Sequence, residues 1–280
     1  MTQTANQYLA DLTAAYTPST SQFEGAKSHR AAIQARLDVY LGLHEMFETG
    51  SLRHGTGVAW YSDADYIASL KGSMPVSEWT ALNKVKETLQ DRFPKTDIVI
   101  RRPAVVCRFS DGPVEVVPAY PSYDQKGNED GYWIADPTGG WMKTHPKNHN
   151  AYVNAVNKKH SGGAKKLARQ AKIWKYRYNV PVSSCYLEMR AAKYADSQSA
   201  WIPVWDLHDF LKDLLDRNLS AMNDPTGLGS RFRATSSDSK HSEAISKLTT
   251  AVSRARKAKD YANAGKDADA IVYLKSLFGQ

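Results

Sequence analysis

The sequence contains little cysteine, no long apolar run and fewer acidic than basic side chains. Cys107 and Cys185 are its only cysteines, and they do not form a metal-ligand spacing. Two thiols in apolar contexts favour reduced core residues of a cytoplasmic protein over a disulfide framework. No apolar run approaches the roughly 18 residues of a membrane-spanning helix, and no basic-then-apolar signal opens the chain. We therefore expect a cytoplasmic protein without a membrane segment.

Basic side chains number 37 and acidic ones 29, so the formal charge is +8 and the pI is near 9.3. Lysine and arginine concentrate after residue 140. A positive surface attracts polyanions, which include nucleic acids and nucleoside triphosphates, although a solvated basic surface explains the charge equally well. The length of 280 residues and the hydrophobic content of 42% suit a folded chain of two lobes or one large domain.

The pattern of apolar and turn-forming residues predicts an α+β chain. The predicted helices are 1–16, 26–48 and 77–91, then 150–159, 164–178, 183–195, 204–218, 239–263 and a short last one. The predicted β-segments are 59–61, 66–68, 97–109, 114–119 and a short strand and turn within 134–141. Two details matter below. The helix over 26–48 is expected to end at Gly50, and Asp111-Gly112 is a hairpin signal that leads into 114–119.

Gly50-Ser51 is followed closely by Asp63 and Asp65. A Gly-Ser turn offers backbone N–H groups and a hydroxyl, which suit the outer phosphates of a nucleotide. Residues two apart on a strand point the same way, so the two carboxylates are close enough to share divalent cations. Without cations they would repel each other. Turn and carboxylates together indicate a site for a magnesium nucleoside triphosphate, although neither signal is specific alone.

Glu115 lies in an apolar strand, between Val114 and Val116. Burying a carboxylate among apolar residues is costly without a partner, and a metal ion is a suitable partner. Glu115 is therefore the candidate for a third metal-binding acid.

The order Gly-Ser, spacer, Asp-x-Asp resembles the nucleotidyltransferases of the polymerase-β superfamily. The segment Val-Glu-Val-Val-Pro-Ala around Glu115 resembles the Asp-Val-Val-Pro-Ala strand of the bacterial cGAS/DncV-like enzymes of the SMODS type, with Glu replacing Asp. The resemblance spans about residues 25–235. It implies a polymerase-β-like nucleotidyltransferase lobe with N-terminal helices over 1–135. It also implies a C-terminal helical lobe over 136–280 that covers the nucleotide cleft.

Arg169, Lys172 and Lys175 fall three apart and share one face of a predicted helix, for which a solvated basic face is the ordinary reading. Their segment resembles the Leu-x-Arg-x-x-Lys-x-Trp-Lys helix of the same family, and Lys172 matches the lysine that touches the triphosphate. Ser183 reads locally as a helix N-cap. It opens a segment that resembles the family's Ser-Ser-Tyr-x-x-Glu, in which Ser184 is implied to meet phosphate.

The resemblance implies that Asp63, Asp65 and Glu115 hold two Mg²⁺ ions, or Mn²⁺ in their place, while Gly50 and Ser51 cradle the triphosphate. It further implies synthesis of a cyclic di- or trinucleotide from ATP, GTP or both. The implied context is bacterial antiphage (CBASS) signalling, with a nucleotide-gated effector downstream and nucleic acid as one candidate activator.

Three alternatives remain open at the level of sequence. One is another polymerase-β-type nucleotidyltransferase that acts on RNA or a small molecule. The second is a non-catalytic nucleotide- or RNA-binding homologue, which Glu115 in place of Asp would suit. The third is a basic nucleic-acid-binding module, whose binding would be salt-sensitive and without turnover. The sequence also does not decide whether Trp60 and Tyr61 are exposed or buried, because aromatic residues here could stack on a base or pack in the core.

Overall fold

The computed structural model describes residues 2–19 and 21–280, in which ten helices and a seven-stranded sheet are found. The strands are β1 (Leu43–Thr49), β2 (Ala64–Leu70), β3 (Asp97–Arg101), β4 (Ala104–Phe109), β5 (Gly112–Tyr123), β6 (Glu129–Ala135) and β7 (Trp141–Thr144). The helices are α1 (Ala5–Ala15), α2 (Ser21–Leu41), α3 (Gly50–Arg53), α4 (Glu78–Arg92), α5 (Pro146–Lys159), α6 (Gly163–Arg177), α7 (Ser184–Asp196), α8 (Pro203–Asp216), α9 (Asp238–Asn263) and α10 (Asp267–Leu277).

The sheet has the strand order β1-β2-β5-β4-β3, with β6 paired to β5 and β7 paired to β6. β2 and β5 run parallel, and the other pairs are antiparallel. β2 and β5 are largely buried, which explains why they read as nearly continuous apolar runs rather than as alternating ones. Their polar exceptions, Asp65 and Glu115, therefore stand out against the rest of each strand.

The expectation of one helix over 26–48 is wrong. α2 ends at Leu41, Gly42 follows with a positive φ of 70°, and the chain then enters β1, which pairs with β2. Glycine is the usual residue for this left-handed helix end. Leu43, Met46 and Phe47 fit a helical period, but pairing with a central strand overrides local propensity here. The Gly-Ser turn consequently follows a strand and opens the short helix α3.

The expected β-segment at 59–61 is also wrong, whereas that at 66–68 is confirmed within β2. The N–H groups of Tyr61 and Ser62 both donate to the carbonyl of Val58, at 3.1 and 3.0 Å. Trp60 has a positive φ of 66°, so its backbone is that of a turn and cannot continue a strand. Asp63 thus stands just before β2, and Asp65 is its second residue.

The remaining elements follow the sequence closely. The Ser77 hydroxyl accepts the N–H of Trp79 at the start of α4, and the predicted hairpin joins β4 to β5 through Phe109 and Gly112. The helices of the second half form at the predicted places. Residues 120–150, which lack a clear period, contain β6 and β7, of which only 134–141 was expected as strand and turn.

The two largest hydrophobic clusters belong to a sheet lobe (α2–α4 and β1–β7) and a helical lobe (α1 and α5–α10). The helical core includes Leu9 and Leu12 of α1, which packs against α6, α8 and α10. Residue 135 is the last residue of β6, and the division of the chain into two domains there stays a prediction. Cys107 is buried as expected, but the expectation of a core position is wrong for Cys185, which is exposed at the start of α7. In the described residues, none of the helices has both the length and the apolar character that crossing a membrane requires.

Leu9 tests whether α1 is an integral part of the helical lobe, because its side chain is 0% exposed. Leu9→Ala should lower the free energy of unfolding by about 2–5 kcal/mol through the cavity it leaves. Val39→Ala, at a position 79% exposed on α2, is the matched control and should change it by less than about 0.5 kcal/mol. Denaturant unfolding followed by circular dichroism measures both, and equal stabilities would show that α1 is dispensable.

Candidate active site

The three predicted acids meet at the centre of the sheet. Asp65 of β2 and Glu115 of β5 are direct partners in the parallel register. Asp63 lies just before β2, and its hydrogen bond with Glu115 places it beside the other two acids. The structure therefore brings together side chains that lie about fifty residues apart in the sequence.

The electrostatics of these acids shows how tightly they are placed. Burial raises the pKa of Asp65 well above its usual range, and the charges of Glu115 and Asp63 raise it further. Burial also raises the pKa of Glu115 to about 7, with a hydrogen bond to Asp63 as the next cause. Crowded carboxylates of this kind take up protons unless a cation neutralises them. Three hard oxygen donors that favour a nearby positive charge fit divalent ions such as Mg²⁺.

Gly50 packs directly against Asp65. It has a positive φ of 67°, and a Cβ at this position would collide with the Asp65 carboxylate, so both backbone and space require glycine. Thr49, the last residue of β1, is the register partner of Asp65 on the other side. Ser51 follows Gly50 at once in α3. The Gly-Ser turn and the acids are thus neighbours, as the sequence predicted.

Arg101, at the end of β3, is a site residue that the sequence analysis missed. Its Nη2 donates to Asp63 Oδ2 at 3.2 Å and to Glu115 Oε1. One guanidinium nitrogen therefore lies between two of the three acids, and the described residues contain no ready-formed metal cage of three ligands. The signal that could have found it is the sheet register, because Val99 pairs with Val106 and Val106 with Glu115, and Arg101 shares the face of Val99.

A cavity of about 650 Å³ opens beside this arginine. Asp63, Arg101 and Arg108 provide its polar lining, and the rest is mostly apolar. Its size is that of a small-molecule site.

Lys172 is completely buried, with 0% exposure. Its Nζ donates to Thr56 Oγ1 at 3.0 Å and to Glu188 Oε2 at 3.1 Å, and Glu188 also contacts His54. Burial alone would raise the pKa of Glu188, but the charge of Lys172 and the bond from His54 lower it overall. The lysine that the motif assigns to the triphosphate is therefore already paired within the protein.

Arg169 of α6 likewise differs from a residue of a solvated face. Arg169 donates through Nε to the carbonyl of Gly57 at 2.7 Å and through Nη2 to that of Gly55 at 2.8 Å. Thr56, between them, is bound by Lys172. The segment just after the Gly-Ser turn, residues 54–57 (the 54–57 loop), is thus held by side chains of the helical lobe.

Ser184 lies at the start of α7, next to Lys175. Lys175 Nζ donates to Ser184 Oγ at 2.5 Å, and the hydroxyl of Tyr176 is 3.3 Å from the same oxygen. Burial lowers the pKa of Lys175 to about 8, and the positive charges of Lys172 and Arg101 lower it further. Within the described chain, no carboxylate forms an ion pair with Lys175. Lys175 and Ser184 together therefore offer a cation and a hydroxyl without a compensating negative charge.

Residues 1–157 match the family model of the Second Messenger Oligonucleotide or Dinucleotide Synthetase domain, SMODS. This match covers more than half of the chain. The chain belongs to the SMODS family. The membership predicted from the Gly-Ser, Asp-x-Asp and Glu115 motifs is thereby confirmed.

Individual relatives agree with the family assignment. A probable cyclic nucleotide synthase of Bacillus cereus (strain VD146) is 25% identical over 172 residues, which are 59% of this chain and 52% of that protein. The chain thus spans about half the length of that relative. The structure of CdnC from E. coli MS115-1 with ATP has a TM-score of 0.78 at 18% identity, covering 98% of this chain and 97% of CdnC. Vibrio cholerae DncV, a cyclic AMP-GMP synthase, gives 0.77 at 13% identity, covering 100% and 97%. These likenesses confirm the predicted α+β nucleotidyltransferase fold.

Arg101 should compete with metal ions for the acids. Arg101→Ala removes charge-assisted hydrogen bonds that an entering ion must displace, so Mn²⁺ should bind about tenfold more tightly. Electron paramagnetic resonance of free Mn²⁺ measures the affinity without any turnover. Arg108→Ala is the control, since Arg108 lines the same cavity but pairs with Asp97 at 2.8 Å. Equal Mn²⁺ affinity of wild type and Arg101→Ala would contradict the competition.

Proposed function

We propose that this chain is a metal-dependent nucleotidyltransferase that joins nucleoside triphosphates into a cyclic di- or trinucleotide second messenger. The observation that carries the proposal is the in-register pair Asp65 and Glu115, with Gly50 packed against Asp65, in a chain of the SMODS family. Acids and a phosphate-binding turn in contact are what a transfer between two nucleotides requires.

Asp63, Asp65 and Glu115 would hold two Mg²⁺ ions, with Mn²⁺ as a substitute. Bound divalent ions would supply Lewis-acid activation of the acceptor hydroxyl and neutralise charge on the departing pyrophosphate. The chain's own contribution is to fix Asp65 and Glu115 on paired central strands, with Asp63 just before the first of them. Metal binding would break the contacts of Arg101 with Asp63 and Glu115. The guanidinium would then remain as a charged group that lines the neighbouring cavity.

The triphosphate would lie between the Gly-Ser turn and the start of α7. Gly50 and Ser51 offer backbone N–H groups and a hydroxyl from the sheet lobe. From the helical lobe, we assign the direct phosphate contact to Ser184 and Lys175, because Lys175 has a charge without a carboxylate partner. The resemblance assigned this contact to Lys172. Its burial against Glu188 supports a positioning role instead, exerted through the 54–57 loop.

ATP, GTP or both are the proposed substrates. CdnC of E. coli MS115-1 has been solved with ATP, and CdnG of Bradyrhizobium diazoefficiens, at 12% identity and a TM-score of 0.73, with GTP. The product would act on a nucleotide-gated effector in antiphage (CBASS) signalling, with nucleic acid as one candidate activator. The proposed location is the cytoplasm, which the two unpaired cysteines favour.

Replacing Asp63 and Asp65 together by Asn should abolish Mg²⁺-dependent pyrophosphate release and the formation of phosphatase-resistant products from labelled NTPs. Amides bind Mg²⁺ far more weakly than carboxylates, and the fold should survive because crowded like charges are removed. Asp97→Asn, at an exposed acid of β3, is the control and should remain active.

Substitution of Glu115 distinguishes an enzyme from a binding protein in the same pyrophosphate-release assay. Wild-type release at background that Glu115→Asp restores would identify a non-catalytic homologue. Addition of nucleotides to RNA without a cyclic product would identify the other class of nucleotidyltransferase. Undiminished release by the double Asn variant would contradict the metal site itself.

Substitution of Lys175 should change the KM for NTP, whereas substitution of Lys172 should change the stability of the fold. Lys175→Ala should raise the KM for NTP by roughly ten- to a hundredfold, the loss of a charge-assisted contact of about 1.5–3 kcal/mol. Lys172→Ala leaves the buried Glu188 without its lysine partner, so the free energy of unfolding should fall by about 3–5 kcal/mol. Steady-state kinetics and thermal unfolding on both variants measure this contrast.

The pH dependence gives an independent check on Lys175. Its pKa is about 8, below the usual lysine value, so its charge is lost as the pH rises through 8 and the KM should rise there. Lys175→Arg keeps the charge and should flatten this rise. A KM that responds to Lys172→Ala alone, with unchanged stability, would return the phosphate contact to Lys172.

A further inference from the structure

Two tyrosines from different lobes stack on each other beside the candidate site. Tyr61 lies in the turn two residues before Asp63, and Tyr176 lies on α6 directly after Lys175. Their ring centroids are 4.7 Å apart and their planes differ by 9°. Tyr61 nevertheless keeps 38% of its surface exposed, so the stack is accessible on the side of Tyr61.

The pair adjoins both halves of the candidate site. The Tyr176 hydroxyl is 3.3 Å from Ser184 Oγ, and Lys175 Nζ is 4.9 Å from the centre of the Tyr176 ring. The pKa of Tyr176 is raised by burial and, more weakly, by the charges of Asp63 and Asp65, which shows that the acids are also near. A planar aromatic surface therefore lies near both Lys175 and the carboxylates.

Core packing does not account for Tyr61. Tyr176 packs at the edge of the helical core, but Tyr61 belongs to neither core cluster. Tyr186 is the aromatic residue in the first turn of α7. Its ring is fully buried, and its hydroxyl donates to the carbonyl of Ser220 at 2.8 Å, so it does not supply an exposed surface beside Ser184. The exposed residue next to Ser184 is the small Cys185. The open ring beside Ser184 and Lys175 is thus supplied by the stacked tyrosines.

We propose that the exposed face of Tyr61, backed by Tyr176, is the surface on which the base of the bound nucleoside triphosphate stacks. This inference rests on the proposed function and adds how the nucleoside part is recognised. Aromatic rings stack with centroids about 4.5–7 Å apart, and a ring already held by a parallel neighbour loses little freedom when a base joins it. Because every base has a π-face, this contact favours nucleotides over inorganic phosphates without selecting one base.

The test compares two ligands that share phosphates but not a base. Calorimetry measures the binding of α,β-methylene ATP, which cannot release pyrophosphate, and of inorganic tripolyphosphate to the full chain with Mg²⁺. Tyr61→Ala should weaken binding of the ATP analogue by about ten- to a hundredfold, as expected for loss of one base stack, and leave tripolyphosphate binding unchanged. Tyr61→Phe keeps the ring and should bind the analogue like the wild type. Tyr123→Ala, at a tyrosine 59% exposed at the far end of β5, controls for loss of an exposed ring.

The outcomes distinguish the proposed stacking surface of Tyr61 from the proposed nucleotidyltransferase function. Equal weakening of both ligands by Tyr61→Ala would show that the pair only holds the lobes together, and unchanged binding of the ATP analogue would remove Tyr61 from the site. Either result overturns the stacking surface while leaving the nucleotide site intact. Failure of the wild-type chain to bind the ATP analogue would overturn both proposals. Lys175→Ala, which should weaken both ligands, confirms that the assay detects a phosphate contact.

Discussion

The structure depends on one electrostatic constraint, the packing of two carboxylates on buried central strands with a third just before one of them. Burial is the first cause of the raised pKa values of Asp65 and Glu115, and the repulsion between neighbouring carboxylates in a low dielectric raises them further. Arg101 offsets part of it by bonding two of the acids. An apolar strand gains nothing from such residues, and a bound cation is the partner that would offset the cost of burying them. The close approach of Gly50 to Asp65 then follows, because any larger residue would push the acid out of place.

A second set of buried charges joins the two lobes. Lys172 and Glu188 are paired in the interior, and both bind the hydroxyl of Thr56. Buried ion pairs are weak evidence for stability, because desolvation consumes most of their attraction. Their location gives a better reason for them: the hydroxyl they bind belongs to Thr56 of the 54–57 loop, which follows the Gly-Ser turn and α3. The helical lobe thereby fixes the position of a segment in the sheet lobe.

Sequence reasoning succeeded where a local period or a motif determined the position. The Asp-x-Asp spacing predicts neighbouring carboxylates, and Asp63 and Asp65 both lie near Glu115 although Asp63 stands just before β2. The Asp111-Gly112 hairpin leads directly to the Glu115 strand. It failed where two structures fit the same pattern, as with Leu43, Met46 and Phe47, which suit a helix until β2 is available as a partner.

It also failed where a partner lies far away in the chain. Lys172 and Lys175 share a helical face. Only the folded chain shows that Lys172 donates to Glu188 and Lys175 donates to Ser184. Neither lobe alone therefore contains a complete site: the sheet lobe holds the acids and the Gly-Ser turn, whereas the helical lobe holds Lys175 and Ser184. The bonds of Arg169 and Lys172 to the 54–57 loop link these halves directly. The N–H of Thr56 in turn donates to the carbonyl of Ser51 at 2.9 Å, so the same loop that α6 holds is hydrogen-bonded to the Gly-Ser turn.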